Sequence, residues 1–141
     1  MKLNYECLRK VLLTLEETLD LDDEFDYEPL TLNEIVEIPT LSNEFPRKDI
    51  AYCVYKLGEA ELILCNLPRA VKSNKGTFLY RTDYEVNALT YKGHEFASQI
   101  RQDTVWNKTS KILGKVGVCT IKVISDIAAD VIANLISANL Q

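Results

Sequence analysis

The sequence has few of the residues on which catalysis and nucleotide binding usually depend. It contains one histidine, His94, and five glycines. The glycines stand at positions 58, 76, 93, 114 and 117, a spacing that forms neither a P-loop nor a dinucleotide-binding fingerprint. A histidine without a second histidine, an activated serine or a metal pair indicates a structural role rather than acid–base chemistry. We therefore expect no catalytic residues, no metal, no cofactor and no enzymatic activity.

The cysteines include no C-x-x-C pair. The four cysteines have apolar neighbours and are far apart along the chain: Cys7, Cys53, Cys65 and Cys119. That pattern favours buried free thiols in a reducing cytoplasm over disulfides or a zinc site. Charged residues at Glu6, Arg9 and Lys10 interrupt any apolar segment of a signal peptide. We predict a cytoplasmic protein.

Negative charge is concentrated at the start of the chain, which has a net charge of −5. Residues 1–43 carry three basic and eleven acidic side chains, whereas residues 44–101 carry nine and seven, and residues 102–141 carry four and three. An acidic chain disfavours non-specific binding to nucleic acids but still allows a local basic surface to bind DNA. The densest acidic segment, residues 20–28, contains no glycine, so we interpret it as a solvated loop rather than a calcium loop.

Apolar spacing predicts two helices in the first 40 residues. Residues 3–19 place apolar side chains three and four positions apart on one face, with Asn4 as the N-cap. Thr31 and Glu34 form a capping-box pattern that begins a short second helix. Pro39 ends that helix, because a proline disfavours helical geometry in the residue before it.

A third helix and a β-hairpin follow a linker at residues 41–45. Residues 46–60 predict the helix, whose inward face is formed by Ile50, Cys53, Val54 and Leu57. Residues 61–67 read as a short strand, and residues 77–90 are rich in aromatic and β-branched side chains. The second segment is either one long strand or two pieces. Together the two segments predict a hairpin with a basic tip.

Thr90 is predicted to cap a fourth helix over residues 91–103. This region contains His94 and is followed by Trp106, the single tryptophan. We expect His94 to pack against the hairpin and to form local hydrogen bonds. We expect Trp106 to anchor the core or an interface.

Residues 116–140 predict a long apolar helix. Its apolar positions, which we expect in the core of the chain or at a dimer interface, are Ile121, Ile124, Ala128, Val131 and Leu135. The opposite side carries the polar residues Lys122, Asp126, Asp130 and Asn134. Charged residues near the centre of a membrane span would cost roughly 2.5–3.5 kcal/mol each. We therefore predict an amphipathic helix covered by protein and no membrane span.

The order of the elements is that of a winged helix-turn-helix. In that architecture the third helix enters the DNA major groove and the hairpin, or wing, contacts the backbone or minor groove. The third helix and the wing are also the least acidic part of the chain. The residues predicted to bind nucleic acid are Arg47, Lys48, Tyr52, Lys56, Arg69, Lys72, Lys75 and Arg81. For Tyr52, and for its neighbour Tyr55, half-buried packing is the alternative.

Two stretches resemble a known family. The start of the chain, M-K-L-N-Y-E-C-L-R, and the pattern L-T-x-x-G-H-E-F…I-R-x-D-x-V-W-x-K at residues 89–108 are similar to a family of small uncharacterised proteins from phages and Gram-positive bacteria. The resemblance covers essentially the whole chain. It implies a winged-helix-like fold and a phage or prophage setting. The family has no established activity that the resemblance could transfer to this chain.

We therefore predict an α+β chain: a winged helix-turn-helix-like domain over residues 1–105, followed by a C-terminal helical extension over residues 106–141 that mediates oligomerisation. The first functional hypothesis is a dimeric winged-helix protein that binds double-stranded DNA, as a phage or prophage regulator. The alternative is a non-enzymatic module on the same scaffold that binds a phage or host protein through its acidic N-terminal part.

Overall fold

The computed structural model of the chain describes residues 1–66, 84–117 and 119–140, together with the backbone of residues 70–72 and 78–80. The helices in these residues are α1 (Tyr5–Thr18), α2 (Leu32–Val36), α3 (Pro39–Ser42), α4 (Arg47–Glu59), α5 (Tyr91–Ile100), α6 (Asp103–Val116) and α7 (Ile121–Asn139). The strands are β1 (Asp20–Leu21), β2 (Tyr27–Glu28), β3 (Leu30–Thr31), β4 (Ile63–Cys65), β5 (Ala70–Lys72), β6 (Phe78–Tyr80) and β7 (Glu85–Leu89). The predicted α+β class and the long C-terminal helix are confirmed.

The central sheet is antiparallel, and its strands lie in the order β3, β7, β4. Leu30 of β3 pairs with Val86 of β7, and Ile63 of β4 pairs with Leu89 at the other end of β7. Strands β5 and β6, which lie between β4 and β7 in the sequence, pair with each other. The predicted hairpin is therefore confirmed, and its returning arm contains two strands.

Side-chain caps begin three of the helices at the residues that the sequence predicts, and Thr120 caps α7 as well. The side chain of Asn4 accepts a hydrogen bond of 3.1 Å from the backbone N–H of Cys7. Thr31 and Glu34 form a complete capping box at α2, and Thr90 caps α5 through the backbone N–H three residues on. Each cap satisfies a backbone donor that the helix itself leaves without a partner.

The acidic segment at residues 20–28 is largely exposed to solvent, as predicted, but it forms a short hairpin and not an irregular loop. β1 pairs with β2 across a tight turn. The Asp22 carboxylate closes this turn by accepting hydrogen bonds from the backbone N–H groups of Glu24, at 2.8 Å, and Asp26, at 3.0 Å. Short polar side chains can direct a turn in this way without a glycine.

Pro39 begins a helix as well as following one. α2 ends at Val36, and Pro39 occupies the first turn of α3, where its missing N–H costs nothing. Part of the predicted linker therefore belongs to α3. Further along, Gly117 has a left-handed backbone with φ of 76° and ends α6. The last helix consequently begins at Ile121, later than predicted.

The core forms where α1 packs against α4 and α5. Leu8, Val11, Leu12 and Leu15 of α1 are buried, as their spacing predicts, and Leu19 is half-buried. The predicted inward face of α4 is also buried in full. These two helical faces supply most of the apolar burial that stabilises the front half of the chain.

Arg9 of α1 connects this core to the junction between α5 and α6. Its Nε donates to the carbonyl of Ile100 at 2.8 Å, and Nη2 donates to the carbonyl of Arg101 at 2.8 Å. The same Nη2 pairs with the carboxylate of Asp103 at 3.0 Å. Its guanidinium carbon lies 5.3 Å from the centroid of the Trp106 ring. One side chain thus satisfies carbonyls at the end of α5 and holds the start of α6.

Trp106 holds α6 against α1 through a buried aromatic ring. It is 3% exposed, its Nε1 donates to Glu6 at 3.1 Å, and the Tyr5 ring meets it edge-on at 6.1 Å. The prediction that Trp106 is a buried anchor is confirmed. The domain boundary predicted at residues 105 and 106 falls inside α6, which Trp106 attaches to α1.

Gly93 allows α5 to lie directly on the chain that enters β4. A Cβ at this position would lie 2.0 Å from the carbonyl oxygen of Leu62. That oxygen accepts a hydrogen bond of 3.0 Å from the N–H of Thr90, whose hydroxyl donates to the carbonyl of Glu61 at 2.6 Å. Because backbone atoms on both sides fix this approach, no side chain fits.

We expect Gly93→Ala to lower the free energy of unfolding by about 2 kcal/mol or more, because the new methyl group forces α5 away from Leu62. Urea denaturation measures the loss. Gly114→Ala in α6 is the matched control, since a Cβ there meets nothing within 4 Å. This control should be neutral or stabilising by up to about 1 kcal/mol. Equal effects of the two substitutions would contradict the close contact.

Candidate nucleic-acid interface

α4 presents one continuous outer face. Its inner side is buried against α1 and α2. Spacings of four and three residues place Lys48, Tyr52, Tyr55 and Glu59 on the opposite side. Lys48 and Glu59 are exposed, and the two tyrosines are half-buried. We call these four residues the outer face of α4.

The first turn of α4 carries two predicted DNA-binding residues in different electrostatic settings. Arg47 forms an ion pair with Glu37, and both side chains are largely exposed. Lys48 is exposed and has no ion pair or hydrogen bond with any residue in the described part of the chain. An exposed ion pair is readily exchanged for another anion, but Lys48 offers its charge without competition.

Lys56 lies between the two tyrosines of the outer face. Its Nζ is 2.7 Å from the Glu59 carboxylate, and lies 5.3 Å from the Tyr52 ring centroid and 5.8 Å from that of Tyr55. The hydrogen bond to Glu59 raises the pKa of Lys56. The hydroxyl of Tyr52 donates to the carbonyl of Met1 at 3.2 Å. The ammonium is therefore charged and held against aromatic faces.

Tyr55 and Glu59 share this surface but are not among the residues predicted to bind nucleic acid. Their spacing from Lys48 and Tyr52 was the available signal, because residues three and four apart share one helical face. Glu59 also changes the chemistry, since it places a carboxylate on a surface predicted to meet phosphate. From Leu32 to Ala60 the chain has three basic and five acidic side chains.

The remaining residues predicted to bind nucleic acid belong to the hairpin that was predicted to be a wing. Lys72 lies in β5, opposite Phe78 of β6. Arg69, Lys75 and Arg81 lie outside the described residues. The backbone pairing of β5 with β6 continues the hairpin beyond the central sheet.

The predicted dimer interface lies mostly inside the single chain. Ile124, Ala128 and Val131 are buried, where α7 packs against α5 and α6. Ile121 and Leu135 are half-buried. Near the end of α7 the large apolar side chains are exposed, with Ile136 55% and Leu140 81% exposed. The three buried residues therefore pack within one chain, and the end of α7 leaves apolar surface that a second chain could cover.

His94 connects two helices. Its Nδ1 lies 2.9 Å from the Glu16 carboxylate of α1, whose other oxygen pairs with Arg101. The expectation of local hydrogen bonding is wrong, because Glu16 is 78 positions away in the sequence. The contact stabilises the α1–α5 pair on its exposed side.

The cysteines are free thiols in the described residues. Cys7 and Cys53 are buried, as predicted, whereas Cys65 and Cys119 are half-buried. The hydrogen bond that the Cys53 thiol shares with Cys7, together with burial, raises the pKa of Cys53, and burial raises the pKa of Cys65 and Cys119. No group of three or more metal-ligating side chains occurs among the residues that the structure describes.

The β1–β2 hairpin exposes apolar side chains within its acidic surface. Phe25 is 84% exposed and adopts a left-handed backbone with φ of 69°. Leu21 is 47% exposed and Tyr27 51%. All six charged side chains of residues 20–28 are carboxylates. A large exposed aromatic residue contributes little to the stability of its own chain and is typical of contact surfaces.

Across the described ranges, no helix combines the length and apolar character that crossing a bilayer requires. This agrees with the polar side of α7, where Lys122 pairs with Asp126 at 2.9 Å.

The chain belongs to the DUF2513 family, described as hypothetical proteins, whose model matches residues 2–119. The match includes both sequence stretches that suggested an uncharacterised family, and it spans α1 to α6. No curated protein and no solved structure matches the chain.

Proposed function

We propose that this member of the DUF2513 family is a winged-helix DNA-binding protein, which acts as a dimeric phage or prophage regulator in the cytoplasm. The observation that carries the proposal is the outer face of α4, which lies opposite the buried side of the helix and ends just before a basic hairpin. A helix of this kind enters the major groove in helix-turn-helix proteins.

The topology supports a winged helix. β3 leads directly into α2, α4 follows, and β4 and β7 form the base of the wing. The sheet order β3, β7, β4 places the strand that returns from the wing in the centre. Between these two strands along the chain, β5 and β6 pair with each other and extend the hairpin.

The charges specify which residues carry the binding. Arg47 and Lys56 are paired with carboxylates, so Lys48 is the cation of α4 best placed to contact phosphate. Lys72 is its counterpart in the wing. The net charge of −5 disfavours binding outside this surface.

The dimer would use the end of α7. Leu135, Ile136 and Leu140 remain partly or fully exposed there, and apolar surface of this kind favours pairing of two chains. Two-fold pairing would then set the spacing of the DNA half-sites.

We expect the double substitution Lys48→Glu with Lys72→Glu to weaken DNA binding strongly, because it removes two phosphate contacts and adds repulsion. A gel-shift titration with a pool of random-sequence 30-base-pair duplexes at several salt concentrations measures it. The slope of log K against log salt should fall by about 2. Light scattering of the complex should give two protein chains per duplex.

Lys111→Glu with Lys115→Glu is the matched control, since it changes the net charge equally on the exposed side of α6. The control should bind with the same salt slope as the wild type. Failure of the wild type to bind the pool at 50 mM salt, or equal binding by both double variants, would rule out this interface.

The β1–β2 hairpin favours a second candidate function, a non-enzymatic module that binds a phage or host protein. Here Phe25 would enter an apolar pocket of a basic partner, and the carboxylates around it would contact the basic rim. The stiff turn closed by Asp22 presents Phe25 without a loss of loop entropy on binding.

If this function is correct, Phe25→Ala will abolish retention of a partner from host lysate, and Asp23→Asn with Glu24→Gln will weaken it in low salt. These changes leave the turn-closing carboxylate of Asp22 intact. Tyr91→Ala is the control, because Tyr91 is 80% exposed on α5. A partner lost equally with Phe25→Ala and Tyr91→Ala would not be bound through the hairpin.

A further inference from the structure

A cleft of about 780 Å³ lies between the N-terminal residues, the second half of α4 and the turn that joins α6 to α7. Its walls are mainly apolar and aromatic, with Tyr5, Tyr52, Leu113 and Ile121 among them. A volume of this size is typical of small-molecule sites, which range from about 300 to 1,000 Å³.

The charged side chains that line the cleft are basic. Lys2 and Lys56 line it, and no carboxylate does so among the described residues. The N-terminal end of α7, at Thr120 and Ile121, also borders it and adds the positive end of a helix dipole. In contrast, the cleft of about 870 Å³ on the other side of α1 is lined by Glu6, Glu17 and Glu44 as well as by basic residues.

Gly114 keeps one wall of the cleft open. It lies within α6, where glycine costs about 1 kcal/mol relative to alanine. A Cβ at this position would meet nothing within 4 Å, so packing does not require a glycine here. The absence of a side chain enlarges the cleft at the expense of helix stability.

We propose that this cleft binds an amphipathic organic anion. The apolar body of the ligand packs against Tyr52, Leu113 and Ile121, and its negative group lies beside Lys56 and Lys2. The aromatic faces of Tyr52 and Tyr55 hold the Lys56 ammonium at the rim of the cleft. Glu59 pairs with that ammonium but does not line the cleft. An ammonium group has three N–H donors, so it can bind a ligand in addition to Glu59.

The inference does not depend on DNA binding, although both involve Tyr52 and Lys56. An anion bound in the cleft would occupy the same ammonium that a DNA phosphate would approach. Titration of the free protein with a small anion separates the two, because no DNA is present.

Two fluorescent probes with the same aromatic skeleton test the proposal on the full chain. 1-Anilinonaphthalene-8-sulfonate carries a negative charge, and N-phenyl-1-naphthylamine is neutral. We expect the anionic probe to bind with one site per chain and at least about fivefold more tightly than the neutral one. Tight binding of the neutral probe alone, or no saturable site for either, would overturn the proposal.

Lys56→Met tests the charge, since it keeps an apolar stem in place. It should weaken the anionic probe about fivefold and change the neutral probe less than twofold. Lys10→Met is the matched control, because Lys10 lines the other cleft, and it should change neither. Loss of both probes with Lys10→Met, or no effect of Lys56→Met on the anionic probe, would place the site elsewhere.

Gly114→Phe tests the location, since it fills the cleft from an open position. Both probes should lose their saturable binding while the far-ultraviolet circular dichroism stays unchanged. Unchanged binding to a folded Gly114→Phe variant would contradict the proposed site. If that variant does not fold, the paired responses of Lys56→Met and Lys10→Met decide the question alone.

Discussion

The guanidinium of Arg9 is the contact on which the arrangement of the helices depends. A lysine carries the same charge but cannot replace this guanidinium. Two carbonyls and one carboxylate on different elements require donors in a fixed fork. Through it, α1 fixes the point where α5 ends and α6 begins. The Trp106 ring lies against the guanidinium, so the polar contact and the buried aromatic anchor form one unit.

This unit draws residues from both of the sequence stretches that resemble an uncharacterised family. Tyr5, Glu6 and Arg9 come from the first stretch, and Arg101, Asp103 and Trp106 from the second. Gly93 and Thr90 of the second stretch fix α5 on the backbone before β4. These residues therefore hold the scaffold together, and the surfaces available for function lie elsewhere: the outer face of α4, the two hairpins and the cleft beside α6.

Local signals made much of the fold predictable. Caps at Asn4, Thr31 and Thr90 depend on residues three positions away, and the buried faces of α1 and α4 follow helical spacing, so the sequence alone contains them. The turn closed by Asp22 has no glycine to signal it, and the contact of Arg9 joins residues more than 90 positions apart.

The apolar side of α7 indicated burial correctly but not its partner, because the same pattern suits a second chain or α5 and α6. At the candidate interface, the sequence identified the cations of α4 but not the carboxylates of Glu37 and Glu59 that pair with them.

Substitution of Arg9 by lysine tests most directly whether the guanidinium fork organises the fold. Arg9→Lys keeps the charge but cannot reach all three acceptors, so we expect urea denaturation to show a loss of about 2 kcal/mol or more in the free energy of unfolding. The control Lys10→Met removes a surface ion pair with Glu44 and should cost less than about 1 kcal/mol. A stability of Arg9→Lys within about 0.5 kcal/mol of the wild type would contradict the central role of this contact.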